Sequence, residues 1–255
     1  MTDLEFEVLK KETDTLPFKY KLFSPCNTLA KGIILLVTPP DKTDFSHLDT
    51  VSSLLEGGYC VVSLIPDSRS IDLDGHVEGY CTLLDIIRKK YRFLPIIVFG
   101  SFLSSITARV LAEKESDRIS GVILEKPCIP SISAVSAITA RLICAVRGKD
   151  YSSDLLGNYG ISLYSALSFL KRSKKINTEE AIADYPKHLS TLIVNSESDT
   201  LFEALDDVYV SHVEKAFAGS PEELIRCITD FADRVVSGVN DAMTSDRFIY
   251  RGTES

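Results

Sequence analysis

The sequence predicts an α/β protein in which helices cover both faces of a mostly parallel sheet. Two continuous apolar runs, 32–37 (GIILLV) and 59–64 (YCVVSL), have the length and composition of strands that are buried on both faces. Each run is followed by a segment with apolar residues at helical spacing, 46–56 and 77–91. Repeated strand–helix units of these lengths favour parallel strands joined by crossover helices.

The remaining elements are predicted from the same patterns. Alternating residues near the start favour an antiparallel opening hairpin, 4–9 with 17–23. The sequence Ser220-Pro221-Glu222-Glu223 has the form of a capping box with proline at the first helical position, so it predicts the start of a final helix. The other predicted elements are a strand and helix within 94–113, strands at 121–124 and 189–195, and a helix at 205–217.

The chain is long enough for one large core, and we predict a single domain over residues 1–255. Between residues 131 and 186 the strand–helix alternation stops. We interpret 131–186 as a helical cap or lid insertion over the carboxyl edge of the sheet, with helices at 131–146 and 162–171. The segment 240–255 is polar and is predicted to be a loose tail.

Composition excludes several classes of function. The net charge of −8 argues against a binder of nucleic acid, which needs a concentrated basic face. The six cysteines lack C-x-x-C spacing, so neither a zinc site nor a disulfide framework is indicated, and no metal or cofactor is predicted. The carboxylates Asp67, Asp72 and Asp74 are interpreted as a solvated loop. No apolar run approaches the ~20 residues of a membrane span, and no secretory signal is visible, so we expect a cytoplasmic protein.

The segment 94–113 (LPIIVFGSFLSSITARVLAE) carries the most specific pattern in the chain. An apolar strand passes through a turn of small residues into an amphipathic helix, which is typical of a nucleophile elbow with the pattern Gly-x-Ser-x-Gly. Gly100 and Ser104 occupy the two small positions, and Phe102 occupies the centre. Centring the turn on Ser101, Ser104 or Ser105 places bulky residues at the flanks. The sequence therefore predicts an elbow without its nucleophile.

The order of these segments resembles the α/β-hydrolase superfamily, in particular its monoacylglycerol-lipase and lysophospholipase branch and the small acyl-thioesterases. Outside the elbow, the resemblance lies in GIILLV and the turn after it, HLDTVSSLLEGGYCVVSLIPDSRS, SDRISGVILEKP and TLIVNSESDTLF. It covers about residues 15–236 and is one of pattern, order and spacing.

The resemblance implies a degenerate catalytic site. The family's serine falls on Phe102, and its oxyanion loop, which begins His-Gly in relatives, falls on Thr38, Pro39 and Pro40. Two prolines lack N–H groups that could donate to an oxyanion. The triad acid is retained as Asp199. The catalytic histidine should follow a further strand and precede the last helix, but the predicted helix at 205–217 leaves no room, so the last strand and its histidine loop are predicted to be lost.

None of the four histidines is predicted to be a general base. His47 and His76 match positions where relatives carry a histidine outside the triad, His188 precedes a strand, and His212 lies within a predicted helix. Asp199, without its partners, is left with a role in capping a helix. If the chain is an enzyme with another nucleophile, the candidates near the elbow are Ser101, Ser104 and Cys128.

These positions predict a catalytically inactive homologue that serves as a protein-binding or assembly module. The loss of several groups that act as a unit removes catalysis. Residues 131–146 are small or apolar around most of a helix, which favours a protein partner or self-association. The alternatives are a lipid- or acyl-binding protein, or an ester or thioester hydrolase with a non-standard site.

Overall fold

A computed structural model of the protein describes residues 19–25, 29–38, 48–65, 73–101, 104–127, 189–195 and 213–251. The predicted cap at 131–186, the first hairpin arm at 4–9 and most of the predicted helix at 205–217 lie outside these ranges. In the described ranges, no helix is both long enough and apolar enough to cross a membrane.

Seven strands of the described residues form one sheet, and six of them run parallel to one another, which confirms the predicted mostly parallel sheet. The strands are β1 Lys19–Phe23, β2 Gly32–Val37, β3 Tyr59–Ile65, β4 Ile96–Ser101, β5 Gly121–Glu125, β6 Ser190–Asn195 and β7 Val213–Phe217. Their spatial order is β1-β3-β2-β4-β5-β6-β7, and β1 pairs antiparallel with β3. The parallel strands bring their carboxyl ends to one edge of the sheet, where ligands bind in open α/β sheets.

Four helices accompany the sheet in the described part of the chain: α1 Leu48–Glu56, α2 Leu73–Lys90, α3 Ser104–Lys114 and α4 Pro221–Arg251, together with a 3₁₀ turn at Ser116–Arg118. Helices α2 and α3 pack on one face, where Tyr80, Leu84 and Leu111 are fully buried. Helices α1 and α4 pack on the other face through Leu54 and Phe231. Each face of the sheet is therefore closed by one apolar layer.

The sequence prediction for 205–217 is wrong in its described part, because Val213–Phe217 is a strand that pairs in parallel with β6. Val213, Ala216 and Phe217 fit a helical period, and a short apolar pattern of this kind does not separate a helix from a strand. The inner strands are recognised by unbroken apolar runs. Glu214 and Lys215 prevent such a run in β7. Charged residues of this kind are typical of an edge strand, since they discourage pairing with a further chain.

The last strand of the sheet is therefore present, which corrects the prediction that it had been lost. Helix α4 begins as predicted at Pro221. The Glu223 N–H donates to Ser220 Oγ at 3.2 Å, and the Gly219 N–H donates to Glu223 Oε2 at 2.8 Å. The helix continues to Arg251, so helical backbone occupies much of the segment 240–255 that was predicted to be loose. No proline or glycine lies between residues 239 and 251 to end it earlier.

Helix α4 is tied to the amino-terminal end of the sheet by a polar cluster of three side chains. Lys31 Nζ lies 2.5 Å from Asp233 Oδ1, and the hydroxyl of Tyr59 donates to the same oxygen. Lys31 Nζ also lies 4.7 Å from the centre of the Tyr59 ring, a cation–π distance. Burial and the bond to Asp233 raise the pKa of Tyr59, so its hydroxyl remains a donor at neutral pH.

Candidate functional site

Strand β4 and helix α3 approach each other as closely as an elbow requires. A Cβ added at Gly100 would lie 2.6 Å from Ala108 Cβ and 2.8 Å from the carbonyl oxygen of Ser104. Such distances are far below the 3.5–4.0 Å of an ordinary carbon contact, so only glycine fits here. The predicted close approach of strand and helix at Gly100 and Ser104 is confirmed.

Ser101 and Ser104, which lie on either side of residues 102 and 103, hydrogen-bond to each other. The Ser101 N–H donates to Ser104 Oγ at 3.1 Å, and the Ser104 hydroxyl donates to the Ser101 carbonyl at 2.7 Å. Ser104 is fully buried, and its hydroxyl proton is already held by a carbonyl. Ser104 is therefore a structural residue of the turn, in a poor state to attack a substrate. Phe102 and Cys128 lie outside the described residues.

At the position of the oxyanion loop, the one described residue has its donor engaged. The Thr38 N–H donates to the hydroxyl of Tyr80 at 2.9 Å, and that hydroxyl donates to the Leu36 carbonyl at 3.1 Å. The Thr38 hydroxyl donates to the Leu64 carbonyl at 3.2 Å. The network is buried, and burial raises the pKa of Tyr80, which keeps the phenol protonated. Thr38 is thus fixed to α2 and β3, while Pro39 and Pro40 lie outside the described residues.

The loop after β7 stands where the resemblance places the catalytic histidine, and it contains none. It consists of Ala218, Gly219 and Ser220. The Ala218 N–H donates to the Asn195 carbonyl at 2.9 Å, which holds the loop against the carboxyl end of β6, and Ser220 caps α4. Asp199, the retained acid of the prediction, lies outside the described residues, as do His47, His188 and His212.

His76 is buried between α2 and α3, on the face of the sheet that both helices cover. Its Nδ1 lies 3.0 Å from Thr107 Oγ1, and its ring meets the Tyr80 ring edge to face at a centroid distance of 5.2 Å. Nε2 has no hydrogen-bond partner among the described residues. Burial lowers the pKa of His76 to about 4, so the imidazole is neutral at physiological pH. His76 is a core residue, in keeping with the interpretation that it lies outside any triad.

A buried carboxyl that the sequence analysis missed lies beside the elbow. Glu125 is the last residue of β5 and pairs in register with Ser101 on one side and Val194 on the other. Only 6% of its surface is exposed, and Oε2 has no hydrogen-bond partner among the described residues. Burial raises the pKa of Glu125 to about 6, although the nearby charge of Lys126 acts in the opposite direction.

The sequence does contain a signal for Glu125. A glutamate ends the apolar run GVIL directly before Lys126 and Pro127, at the carboxyl end of a parallel strand. Polar residues at this position of an α/β sheet line the crevice where ligands bind. Glu125 was not predicted as a site residue because it matches no triad position in the resemblance.

The described residues offer no site for a metal ion, since no three of their His, Cys, Asp and Glu side chains come together. Asp67 and Asp72 of the predicted solvated loop lie outside the described residues, and Asp74 falls in the first turn of α2. Cys60 and Cys81 are buried free thiols. Burial raises the pKa of both, which leaves them protonated and unreactive at neutral pH.

Neither a protein-family model nor a curated protein sequence matches the chain. Several solved structures, in contrast, match its fold. A thermostable carboxyl esterase from Bacillus coagulans, in complex with glycerol, superposes with a TM-score of 0.62 at 13% identity, over 91% of this chain and 99% of that chain. A soluble variant of monoglyceride lipase from Saccharomyces cerevisiae, in complex with a substrate analogue, gives 0.62 at 13% identity over 92% and 96%.

A third structure is described as a putative non-heme bromoperoxidase, BpoC, from Mycobacterium tuberculosis H37Rv. It superposes with a TM-score of 0.63 at 12% identity, over 86% of this chain and 97% of that chain. Identities this low carry information on architecture and none on substrate. Together with the order of the seven strands and the tight turn at Gly100, they establish that this protein has the α/β-hydrolase fold.

Proposed function

We propose that this protein is a catalytically inactive α/β-hydrolase homologue that acts as a protein-binding or assembly module. The observation that carries the proposal is the turn at Gly100. Its steric demand supports the register in which Phe102 occupies the nucleophile position, since Gly100 and Ser104 stand at the two close-packed positions. Phenylalanine has neither a lone pair nor a proton that could take part in acyl transfer.

Two further features support the loss of catalysis. The loop from Ala218 to Ser220 carries no histidine, and the Thr38 N–H is bound to the Tyr80 hydroxyl. A nucleophile, a base and oxyanion donors act as a unit in serine hydrolases, so that removal of one costs several orders of magnitude in rate. Replacing Phe102 alone therefore leaves the other deficits in place.

The test for catalysis is chemical labelling. A fluorophosphonate probe and short-chain nitrophenyl esters are offered to the wild-type protein and to Phe102→Ser. We expect no labelling and no turnover from either protein. Stoichiometric labelling of Ser101 in the wild type would establish instead a hydrolase with a non-standard site. Turnover by Phe102→Ser would show that a histidine from elsewhere in the chain reaches the elbow.

The proposed interface is the segment 131–146, whose residues are small or apolar around most of a helix, with Arg141 as its one charge. Small side chains permit close approach between helices, and an exposed apolar surface of this size would be costly in a monomer. The variants Ala137→Asp and Ile138→Glu are therefore expected to lower the mass measured by light scattering, or to abolish capture of a partner, while the circular-dichroism spectrum is unchanged. An unchanged assembly, combined with a fatty acid bound to the wild type in native mass spectrometry, would favour the acyl-binding alternative.

A further inference from the structure

Glu125 lies at the carboxyl edge of the sheet, and backbone pairing continues on both sides of it. The Lys126 N–H donates to the Val194 carbonyl at 2.8 Å, which continues the pairing of β5 with β6 past the glutamate. Lys126 has a φ of 43°, the only positive φ of a non-glycine residue among those described. A left-handed residue is strained when it carries a side chain, and such strain is concentrated at functional positions. The backbone therefore changes direction at Lys126, and Glu125 itself still lies in the paired strand.

Among the described residues, Lys126 is the one charge that acts on this carboxyl. Glu125 alternates with Leu124 along β5 and shares the face of Ile123, which belongs to the apolar layer under α1 and α4. The adjoining strands place Ser101 and Val194 beside it. Lys126 acts on Glu125 through its charge and makes no hydrogen bond to Oε2, which has no partner among the described residues. An apolar layer thus ends in one carboxyl oxygen with unused hydrogen-bonding capacity.

A carboxylate in such a place favours a positively charged donor. Burying an ionised carboxyl without a partner is costly, and an arriving cation removes that cost. The geometry suits a compact donor, because the unpartnered group is a single oxygen and the side chain is almost completely enclosed. A guanidinium presents a planar fork that requires both carboxylate oxygens, whereas a primary ammonium is a point charge on a slender stem.

We propose that Glu125 anchors the primary ammonium group of a small molecule, in a binding site at the carboxyl edge beside the elbow. The site uses none of the positions at which the triad and oxyanion loop would stand. It is therefore independent of whether the protein has lost catalysis.

The experiment is a ligand-observed NMR titration of the full chain with butylammonium chloride at pH 7.5, with 1-butanol as the uncharged probe of equal length. We expect saturable binding of the amine and none of the alcohol. The variant Glu125→Gln is expected to weaken amine binding at least about tenfold, as the loss of a hydrogen bond to a charged group implies. The matched control Glu113→Gln, which removes an exposed carboxylate on α3, should leave the dissociation constant unchanged.

A second measurement uses only the wild-type protein and does not depend on the folding of a variant. The carboxyl ¹³C resonance of Glu125 is titrated with pH in the presence and absence of the amine. Binding to the ionised form must lower the apparent pKa of Glu125 by linkage. Equal amine affinity of wild type and Glu125→Gln, an unmoved titration of Glu125, or no saturation up to about 50 mM amine would each overturn the proposal.

Discussion

Replacing Glu125 with glutamine should make the folded protein more stable at neutral pH. The substitution keeps the size and shape of the side chain and removes its charge. Burial raises the pKa of Glu125 from 4.5 to about 6, so the unfolded chain releases the proton at a lower pH than the native protein. Between these two values the native state binds more protons than the unfolded state. Stability of the wild type therefore falls as pH rises through this window, and it stays low above pH 6.

The size of this effect follows from the two pKa values. A difference of about 1.5 units corresponds to about 2 kcal/mol at 1.36 kcal/mol per unit. Because Glu125 is 6% exposed, solvent screening reduces this figure little. Glu125→Gln has no titration at this position. The difference in unfolding free energy between variant and wild type should thus grow by about 2 kcal/mol between pH 4 and pH 7.5, in favour of the variant.

Urea denaturation at a series of pH values, followed by far-UV circular dichroism, measures this difference. The comparison must be made between the two proteins at each pH, because His76 titrates over an overlapping range and affects both curves equally. Glu113→Gln serves as the control and should follow the wild type at every pH. A variant that is less stable than the wild type at pH 7.5 would refute the reasoning, since it would mean that the charge of Glu125 is compensated in the native protein.

Three further predictions test the packing of the fold, and two of them have a matched control substitution. Gly100→Ala should lower the free energy of unfolding by about 1–3 kcal/mol through overpacking, whereas Gly238→Ala on α4, where an added Cβ meets nothing within 4 Å, should raise it by about 1 kcal/mol; equal effects in urea denaturation would contradict the elbow geometry. Burial lowers the pKa of His76 to about 4, so the unfolded chain takes up its proton first and stability falls as pH drops from 6.5 to 4. His76→Gln should remove about 3 kcal/mol of that fall, and an unchanged acid limb would count against burial of the imidazole. Asp233→Asn should cost about 1–2 kcal/mol by weakening the contacts of Lys31 and Tyr59, and Asp230→Asn, an exposed neighbour on α4, should cost little; similar melting temperatures for the two variants would mean that the cluster is not stabilising.

The inner strands could be predicted because burial on both faces leaves an unbroken apolar run. GIILLV and the strand at 96–101 are of this kind, and the structure places both at the centre of the sheet. Strand β7 escaped prediction because it lies at an edge of the described sheet, where its residues are half-buried or exposed and form no continuous apolar run. Its identity depends on pairing with β6, a contact distant in sequence that no local pattern records.

The candidate site shows the same difference between features set by local sequence and features set by distant contacts. The steric need for Gly100 could be recognised because it is encoded within one local motif. The role of the Thr38 N–H could not be predicted, since it depends on Tyr80, which is 42 residues away on helix α2. Glu125 was missed for a similar reason, because its burial results from neighbouring strands. The assignments of Phe102, Asp199, Pro39 and Pro40 stay predictions.

The three-residue loop after β7 also determines where a histidine could be introduced at this edge of the sheet. Histidine at Ala218 would force a polar ring into a position that is 1% exposed, and histidine at Ser220 would remove the cap of α4 at a cost of about 1 kcal/mol. Gly219 is exposed, and an added Cβ would make only ordinary contacts there, 3.4 Å from Glu223 Oε2 and 3.8 Å from Phe217 Cε1. Gly219 is therefore the one position in this loop where a histidine should cost little stability, and Gly219→His is the first substitution to test.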